Sequence, residues 1–214
     1  MTTDDLAGTI AARYPSRFLR IYVRSKIRLD PVYAAVFERI RDREEPLLDV
    51  GCGIGVLPVY LRARGFRAPI HGVDHDERKV GIARSVVPEA TFGVADARTS
   101  IDRGGTIVLL DLLHYFRAEE QARILESAAK SATTVIIRDA IRDGSWRYRF
   151  TYLQEAFSRI VRWLRAERLH FPTREDVMRP FADFDAEVVP LYGSTPFNNY
   201  LFVFKRSADG ITNA

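Results

Sequence analysis

The sequence predicts an α/β fold: five parallel strands and a C-terminal antiparallel hairpin in one seven-stranded sheet, with helices on both faces. Three observations carry this expectation. Apolar β-rich runs alternate with helical patterns from residue 46 to 139, the signature of a mostly parallel sheet with crossover helices. The last two apolar runs are separated only by the short segment GSTP, too short for a crossover and suited to a hairpin. Each of the first five runs also ends in, or just past, an aspartate.

In chain order, LLDV (47–50) is the first strand and VLPVYLRAR (56–64) the first crossover helix. Pro58 falls in its first turn, where its missing N–H costs nothing, and Gly65 is placed to stop it. IHGVD (70–74) is the second strand, and DERKVGIARSVV (76–87) a helix capped by Asp76. TFGVAD (91–96), TIVLLD (106–111) and TVIIRD (134–139) are strands three to five, with a helix over 119–130 between the last two. WRYRFTYLQEAFSRIVRWLRAERL (146–169) reads as a long amphipathic helix, followed by the hairpin strands 186–192 and 198–206. Asp74, Asp96, Asp111 and Asp139 then end strands two to five, on the carboxyl side where open parallel sheets bind ligands. Helix capping is the other use of an acid at such a place.

Composition bounds the function. The 214 residues are 47% apolar and 28% charged, with a net charge of +4, which fits an ordinary globular chain with a full core. No run approaches the roughly 18 apolar residues of a membrane span. The acids of MTTDDLAGTI stand where a secretory signal would be basic, and the single cysteine, Cys52, has no disulfide partner. A cytoplasmic location is therefore expected. His71, His75, His170 and Cys52 show no ligand spacing, so no metal site is expected.

The segment PLLDVGCGIGVLPVYLRARG (46–65) sets the functional question. A Walker loop needs a lysine and a hydroxyl residue after its last glycine, and Gly55 is followed by Val56 and Leu57. The dinucleotide fingerprint is G-x-G-x-x-G, whereas Gly51, Gly53 and Gly55 give G-x-G-x-G. Asp49 before the glycines suits a ligand ammonium or the ordering of the loop. Asp74 suits the two hydroxyls of a ribose, which a dinucleotide also carries, so it does not discriminate. Asp96 suits an adenine amine.

LLDVGCGIG, GVD, VADA and VLLDLLHYF, in this order and spacing, resemble the motifs of class I S-adenosylmethionine-dependent methyltransferases, over roughly residues 46–206. The resemblance implies a Rossmann-like sheet and S-adenosylmethionine as cofactor. It implies a cofactor-binding set of Asp49, Gly51, Cys52, Gly53, Gly55, Asp74, His75, Asp96, Ala97, Asp111 and Leu112, with Asp111 to His114 lining the methyl-transfer site. It divides the chain into an N-terminal helical lid or extension (1–45) and a methyltransferase domain (46–214) with a helical insertion around 143–182. KIRLDP (26–31), RDAIRDGSWR (138–147) and TPFNN (195–199) further resemble a subset of small-molecule methyltransferases, some of which accompany acyl-chain or aryl-polyene assembly.

His114 is the candidate general base, needed if the acceptor must lose a proton; packing or hydrogen bonding is its other reading. Asp139 either touches the acceptor or makes a structural salt bridge beside Arg138. Tyr115 reads as pocket wall. Trp146, Tyr148, Phe150, Tyr152, Phe157 and Trp163 either line a cavity for an apolar or aromatic acceptor or pack on the sheet, and Arg147, Thr151 and Glu155 fall one turn apart on the same helix. Arg13, Arg17, Arg20 and Arg24 would form one helical stripe, with Phe18, Ile21, Tyr22 and Ser25 on a different side. The stripe is a solvated face, or it suits an acyl carrier protein, an acidic acceptor or an anionic membrane surface. Lys26 and Arg28 are candidates for the cofactor carboxylate.

Methylation of a small-molecule or carrier-bound acceptor is the leading expectation. The alternatives are a nucleic-acid methyltransferase, although the Pro-Pro-aromatic motif is absent after the fourth strand, and a non-catalytic scaffold that keeps the fold. An NAD oxidoreductase fits least, given the glycine spacing and the hairpin.

Overall fold

The structure is a computed structural model, and it describes residues 2–99, 101, 104–160, 169–193 and 196–207, with the backbone alone over 154–160. Seven strands form one sheet: β1 (Leu47–Val50), β2 (Ile70–Asp74), β3 (Thr91–Val94), β4 (Thr106–Leu110), β5 (Thr134–Ala140), β6 (Phe184–Pro190) and β7 (Asn199–Arg206). Their order is β3-β2-β1-β4-β5-β7-β6. The fold is the Rossmann-like sheet the sequence predicts, with β5/β7 and β6/β7 antiparallel. The chain divides into two compact units, Met1–Ser100 with Gly193–Thr195, and Ile101–Tyr192 with Pro196–Ala214.

In the first unit β1 is buried along its whole length, so it reads as an unbroken apolar run rather than an alternation. β1 pairs with β2 and β2 with β3, all parallel. The crossovers carry α4 (Val56–Ala63) and α5 (Glu77–Val86), the latter capped by the Asp76 side chain accepting from Arg78 N–H. Three helices precede the sheet: α1 (Thr3–Ala12), α2 (Arg17–Leu29) and α3 (Val32–Ile40). Thr2 and Asp5 cap the start of α1 reciprocally, and Ser16 caps α2 by accepting from Leu19 N–H. The cap at Ser16 corrects the four-arginine stripe. The chain turns at Tyr14-Pro15-Ser16, so Arg13 is the C-cap of α1 and only Arg17, Arg20 and Arg24 share a helix. Arg13 instead donates to the carbonyl of Val86 at 3.2 Å.

In the second unit β4 and β5 pair in parallel, and α6 (Ala118–Ser131) crosses between them. All seven residues of β5 are buried. β7 buries Leu201, Phe202, Val203 and Phe204, with Phe204 stacked on Phe181 at 4.0 Å. Side chains of this size each contribute about 1.5–3 kcal/mol by leaving water. α7 (Trp146–Ile160) and α8 (Arg174–Met178) follow β5 and precede β6. Trp163, together with Ser194 and Thr195 of the hairpin segment, lies outside the described residues, as do the side chains of Glu155 and Phe157. Among the described residues no helix is long and apolar enough to cross a membrane.

Two of the expected strand-terminal aspartates lie beyond their strands. β3 stops at Val94, two residues before Asp96, and β4 stops at Leu110. Asp96 starts a turn in which its own carboxylate accepts from Arg98 N–H. Asp111 takes a left-handed conformation, φ 53°, which breaks the strand and which a short polar side chain tolerates better than most.

Candidate active site

The glycine loop leaves β1 with Gly51, Gly53 and Gly55 all in the left-handed region (φ 81°, 54° and 79°). A Cβ at Gly55 would stand 3.1 Å from the Ala83 Cβ and 3.2 Å from its Cα. The loop therefore needs glycine there twice over, for conformation and for close approach to α5. Gly51 and Cys52 N–H groups donate to the Val73 carbonyl at 2.8 and 3.0 Å, which ties the loop to the end of β2.

Asp74 sits at that end, 7% exposed. Gly53 N–H donates to its Oδ2 and Asp76 N–H to its Oδ1, each at 2.9 Å. A carboxylate oxygen accepts more than one bond, so both oxygens keep acceptor capacity. Asp49, inside β1, is 3% exposed, and its Oδ2 has no hydrogen-bond partner among the described residues. Burial first, and the nearby Asp74 charge second, push its pKa up to about 7. Two carboxylates are thus held beside one glycine loop, an arrangement that favours a positively charged ligand. Cys52 is buried too, and burial with the two carboxylates pushes its thiol up, so it is a poor nucleophile.

His75 follows, largely exposed, with Nδ1 3.4 Å from Asp74 Oδ1. Asp96 is gripped by Arg98, which donates from Nε to both carboxylate oxygens at 3.0 Å and from Nη2 at 2.5 Å. That grip lowers the Asp96 pKa. Arg98 is a residue the sequence reading missed, although its place two residues after Asp96, beside Ala97, was the available signal.

The second unit brings together His114 and Asp139. After β4 the chain makes a single 3₁₀ turn, Leu113–Tyr115. His114 Nδ1 lies 2.6 Å from Asp139 Oδ1, and the N–H groups of Leu113 and His114 donate to Oδ2 at 2.8 and 3.3 Å. Ala140 N–H adds a bond of 2.8 Å to Oδ1. Surrounded by donors, Asp139 accepts from the imidazole, which places the proton on Nδ1. Asp139 is 0% exposed, and its side-chain partner is the His114 imidazole. Arg138 points to Asp111 instead, at 2.5 Å, and Asp111 N–H donates back to the Arg138 carbonyl at 2.8 Å. This pairing fixes the left-handed turn at Asp111-Leu112.

His114 is held by more than its acid. Its ring lies against Tyr115 and stacks on Phe171, with centroids 4.1 and 5.4 Å apart. Its carbonyl accepts from His170 N–H at 2.9 Å. The buried Gln121 amide donates to the carbonyls of Leu113, Phe116 and His170, clamping both segments. Gln121 was also missed; a lone amide inside an amphipathic helix gives no pattern to read. Tyr148 and Tyr152 of α7 present edges to Phe171 at 5.8 and 6.3 Å. Phe150, near Phe197, and Trp146 are largely exposed, and the Arg147 guanidinium lies over Trp146 and Tyr192. Thr151 is structural: its buried hydroxyl accepts from Asn198 N–H and donates to the Arg147 carbonyl. Lys26 pairs with Asp30, and Arg28 with Asp4.

Residues 22–191 match the model of a methyltransferase domain family. The chain belongs to this methyltransferase family. The solved structures agree with its fold. Magnesium protoporphyrin IX methyltransferase from Synechocystis PCC 6803 with bound S-adenosylhomocysteine (SAH) superposes with a TM-score of 0.66 at 19% identity, covering 95% of this chain and 93% of that one. The pyocyanin biosynthetic protein PhzM gives 0.66 at 17%, covering 93% and 61%. An O-methyltransferase family protein from Burkholderia thailandensis gives 0.64 at 19%, covering 83% and 55%. No curated protein matches the chain in sequence.

The cofactor of the methyltransferase family is S-adenosylmethionine. The residues present fit it. Asp49 offers a buried carboxylate oxygen without a partner, Asp74 keeps acceptor capacity for hydroxyl donors, and three left-handed glycines let a ligand approach the backbone.

Proposed function

We propose that this methyltransferase methylates a small-molecule acceptor, with Asp49, Gly51, Cys52, Gly53, Gly55, Asp74, His75, Asp96 and Ala97 forming the cofactor site. The observation that carries this reading is the Asp49 Oδ2 atom, buried without a partner beside Asp74, because such a charge is costly unless a cation meets it. S-adenosylmethionine supplies an activated methyl group next to a sulfonium, so the protein's task is alignment and exclusion of water. Asp74 orders the loop through Gly53 N–H and accepts the ribose hydroxyls. Asp96 presents a carboxylate edge to the adenine amine while Arg98 fixes its direction.

His114 is assigned to the acceptor side as general base. Asp139 holds the proton on Nδ1, so Nε2 carries the lone pair that accepts a proton from a hydroxyl or phenol. The rings of Tyr115, Tyr148, Tyr152 and Phe171 near it support an aromatic or otherwise apolar acceptor. The insertion 143–182, which carries most of these rings, is the acceptor-binding segment. Within the N-terminal segment 1–45, the turn after α1 lids the cofactor loop: buried Tyr14 donates to the carbonyl of Ile54 at 3.3 Å.

The test is methyl-label transfer from S-adenosylmethionine to cell-extract fractions, carrier-bound acyl groups among them. Label is expected to enter a small-molecule or carrier-bound fraction with the wild type, and to be lost with Asp74→Ala. Label in nucleic acid would redirect the acceptor assignment, and no transfer to any fraction would favour a non-catalytic scaffold.

A further inference from the structure

Helix α2 presents three faces. Val23 and Ile27 are buried, and Leu19 half-buried, on the first. On the opposite face Phe18, Ile21, Tyr22 and Leu29 are 57%, 60%, 39% and 57% exposed. At 100° per residue these four fall within one stripe, with Ser25 in its middle. Arg17, Arg20, Arg24 and Arg28 run along one edge of the stripe, and Lys26 lies on the other. No acid occurs between Arg17 and Leu29. The acids that answer these cations lie outside the helix: Asp4 meets Arg24 at 3.0 Å and Arg28 at 3.2 Å, and Asp30 meets Lys26 at 3.4 Å. Arg20 donates from Nε to the Tyr14 carbonyl.

A solvated face gains nothing from four large apolar side chains in a row, and a contiguous exposed apolar strip marks an interaction site. Its cationic edges decide the partner. Arginine stems can lie along an apolar phase while their guanidinium groups reach anions at its rim, and a narrow apolar strip with such edges is the pattern of a helix lying in a lipid headgroup layer. A second copy of this chain, related by two-fold symmetry, would set a cationic edge of one stripe against a cationic edge of the other whether the helices run parallel or antiparallel, which is unfavourable.

We propose that α2 docks this protein on an anionic lipid surface, with Ile21, Tyr22 and Leu29 entering the headgroup boundary and Arg17, Arg20, Arg24 and Arg28 meeting lipid phosphates. The inference rests on α2 alone and is independent of the acceptor assignment.

Vesicle flotation tests it on the full chain. The protein is expected to float with vesicles of phosphatidylcholine containing about a third phosphatidylglycerol, to remain behind with pure phosphatidylcholine, and to be released by high salt. The double variant Ile21→Ser with Leu29→Ser is expected to reduce the bound fraction about tenfold, while its circular dichroism and SAH affinity match the wild type. Absence of flotation with the anionic vesicles, or equal flotation of the double variant, overturns the proposal. So does a parallel loss of SAH affinity, which would make the stripe part of the ligand site, and so does a dimer that the double variant dissociates.

Discussion

Asp139→Ala is expected to destabilise the protein by about 3–5 kcal/mol, as for breaking a fully buried hydrogen-bond network around a carboxylate. The size follows from what the carboxylate serves. His114 Nδ1 and the N–H groups of Leu113, His114 and Ala140 all donate to it, and alanine leaves them without an acceptor in a place where water does not reach. Each stranded donor costs about 1–3 kcal/mol, and relaxation of the 3₁₀ turn recovers part of the sum. Asp139→Asn should fall between wild type and Asp139→Ala, because its amide keeps one acceptor oxygen but presents hydrogens to donors. Urea unfolding followed by circular dichroism measures both. A loss below about 1 kcal/mol for Asp139→Ala would show that the pair does not organise the turn.

The second large effect concerns Asp49 and pH. Its pKa is pushed from the ordinary 3.8 to about 7 by burial and then by Asp74. The native state therefore binds a proton that the unfolded chain releases between about pH 4 and 7, so ligand-free stability falls as pH rises through that window. Asp49→Asn removes this dependence. At pH 8 it should stabilise the ligand-free protein by about 4 kcal/mol, and near pH 4 by almost nothing. Binding behaves oppositely. A cationic ligand needs the carboxylate, so affinity for S-adenosylmethionine should fall about tenfold per pH unit below about 7, with one proton released on binding. The neighbours that share this field are Asp74, the Cys52 thiol and Lys79. Titration at pH 6 in two buffers of different ionisation enthalpy detects the proton. A flat affinity between pH 6 and 8 would contradict the role given to Asp49.

Much of the cofactor side is legible in the sequence because it is encoded in spacing. Three glycines at alternate positions need left-handed backbone, and Gly51, Gly53 and Gly55 all adopt it. An acid closing an apolar run lands at a strand end, as Asp74 does. The hairpin is legible because four residues cannot carry a crossover. The rest depends on contacts between distant segments. Nothing in TVIIRD says that Arg138 faces Asp111 while Asp139 faces His114; both side chains are buried, and only the placement of β5 beside the segment after β4 decides which partner each one meets. Gln121 and Arg98 act through single hydrogen-bond networks with no periodicity. The arginine stripe misled because helical spacing continues across Pro15, whereas the Ser16 cap begins a new helix.

The claim that a sulfonium nucleoside sits on the Asp49–Gly55 loop against Asp74 is tested most directly by calorimetric titration of SAH at pH 8. The wild type should bind one equivalent with an affinity between low micromolar and sub-millimolar. Asp74→Ala should weaken this by about tenfold or more, the loss of a charged hydrogen-bond acceptor. Asp96→Ala should weaken it less, because its more exposed carboxylate is already paired with Arg98. No binding heat from the wild type, or the same affinity in the wild type and both variants, would contradict the assignment.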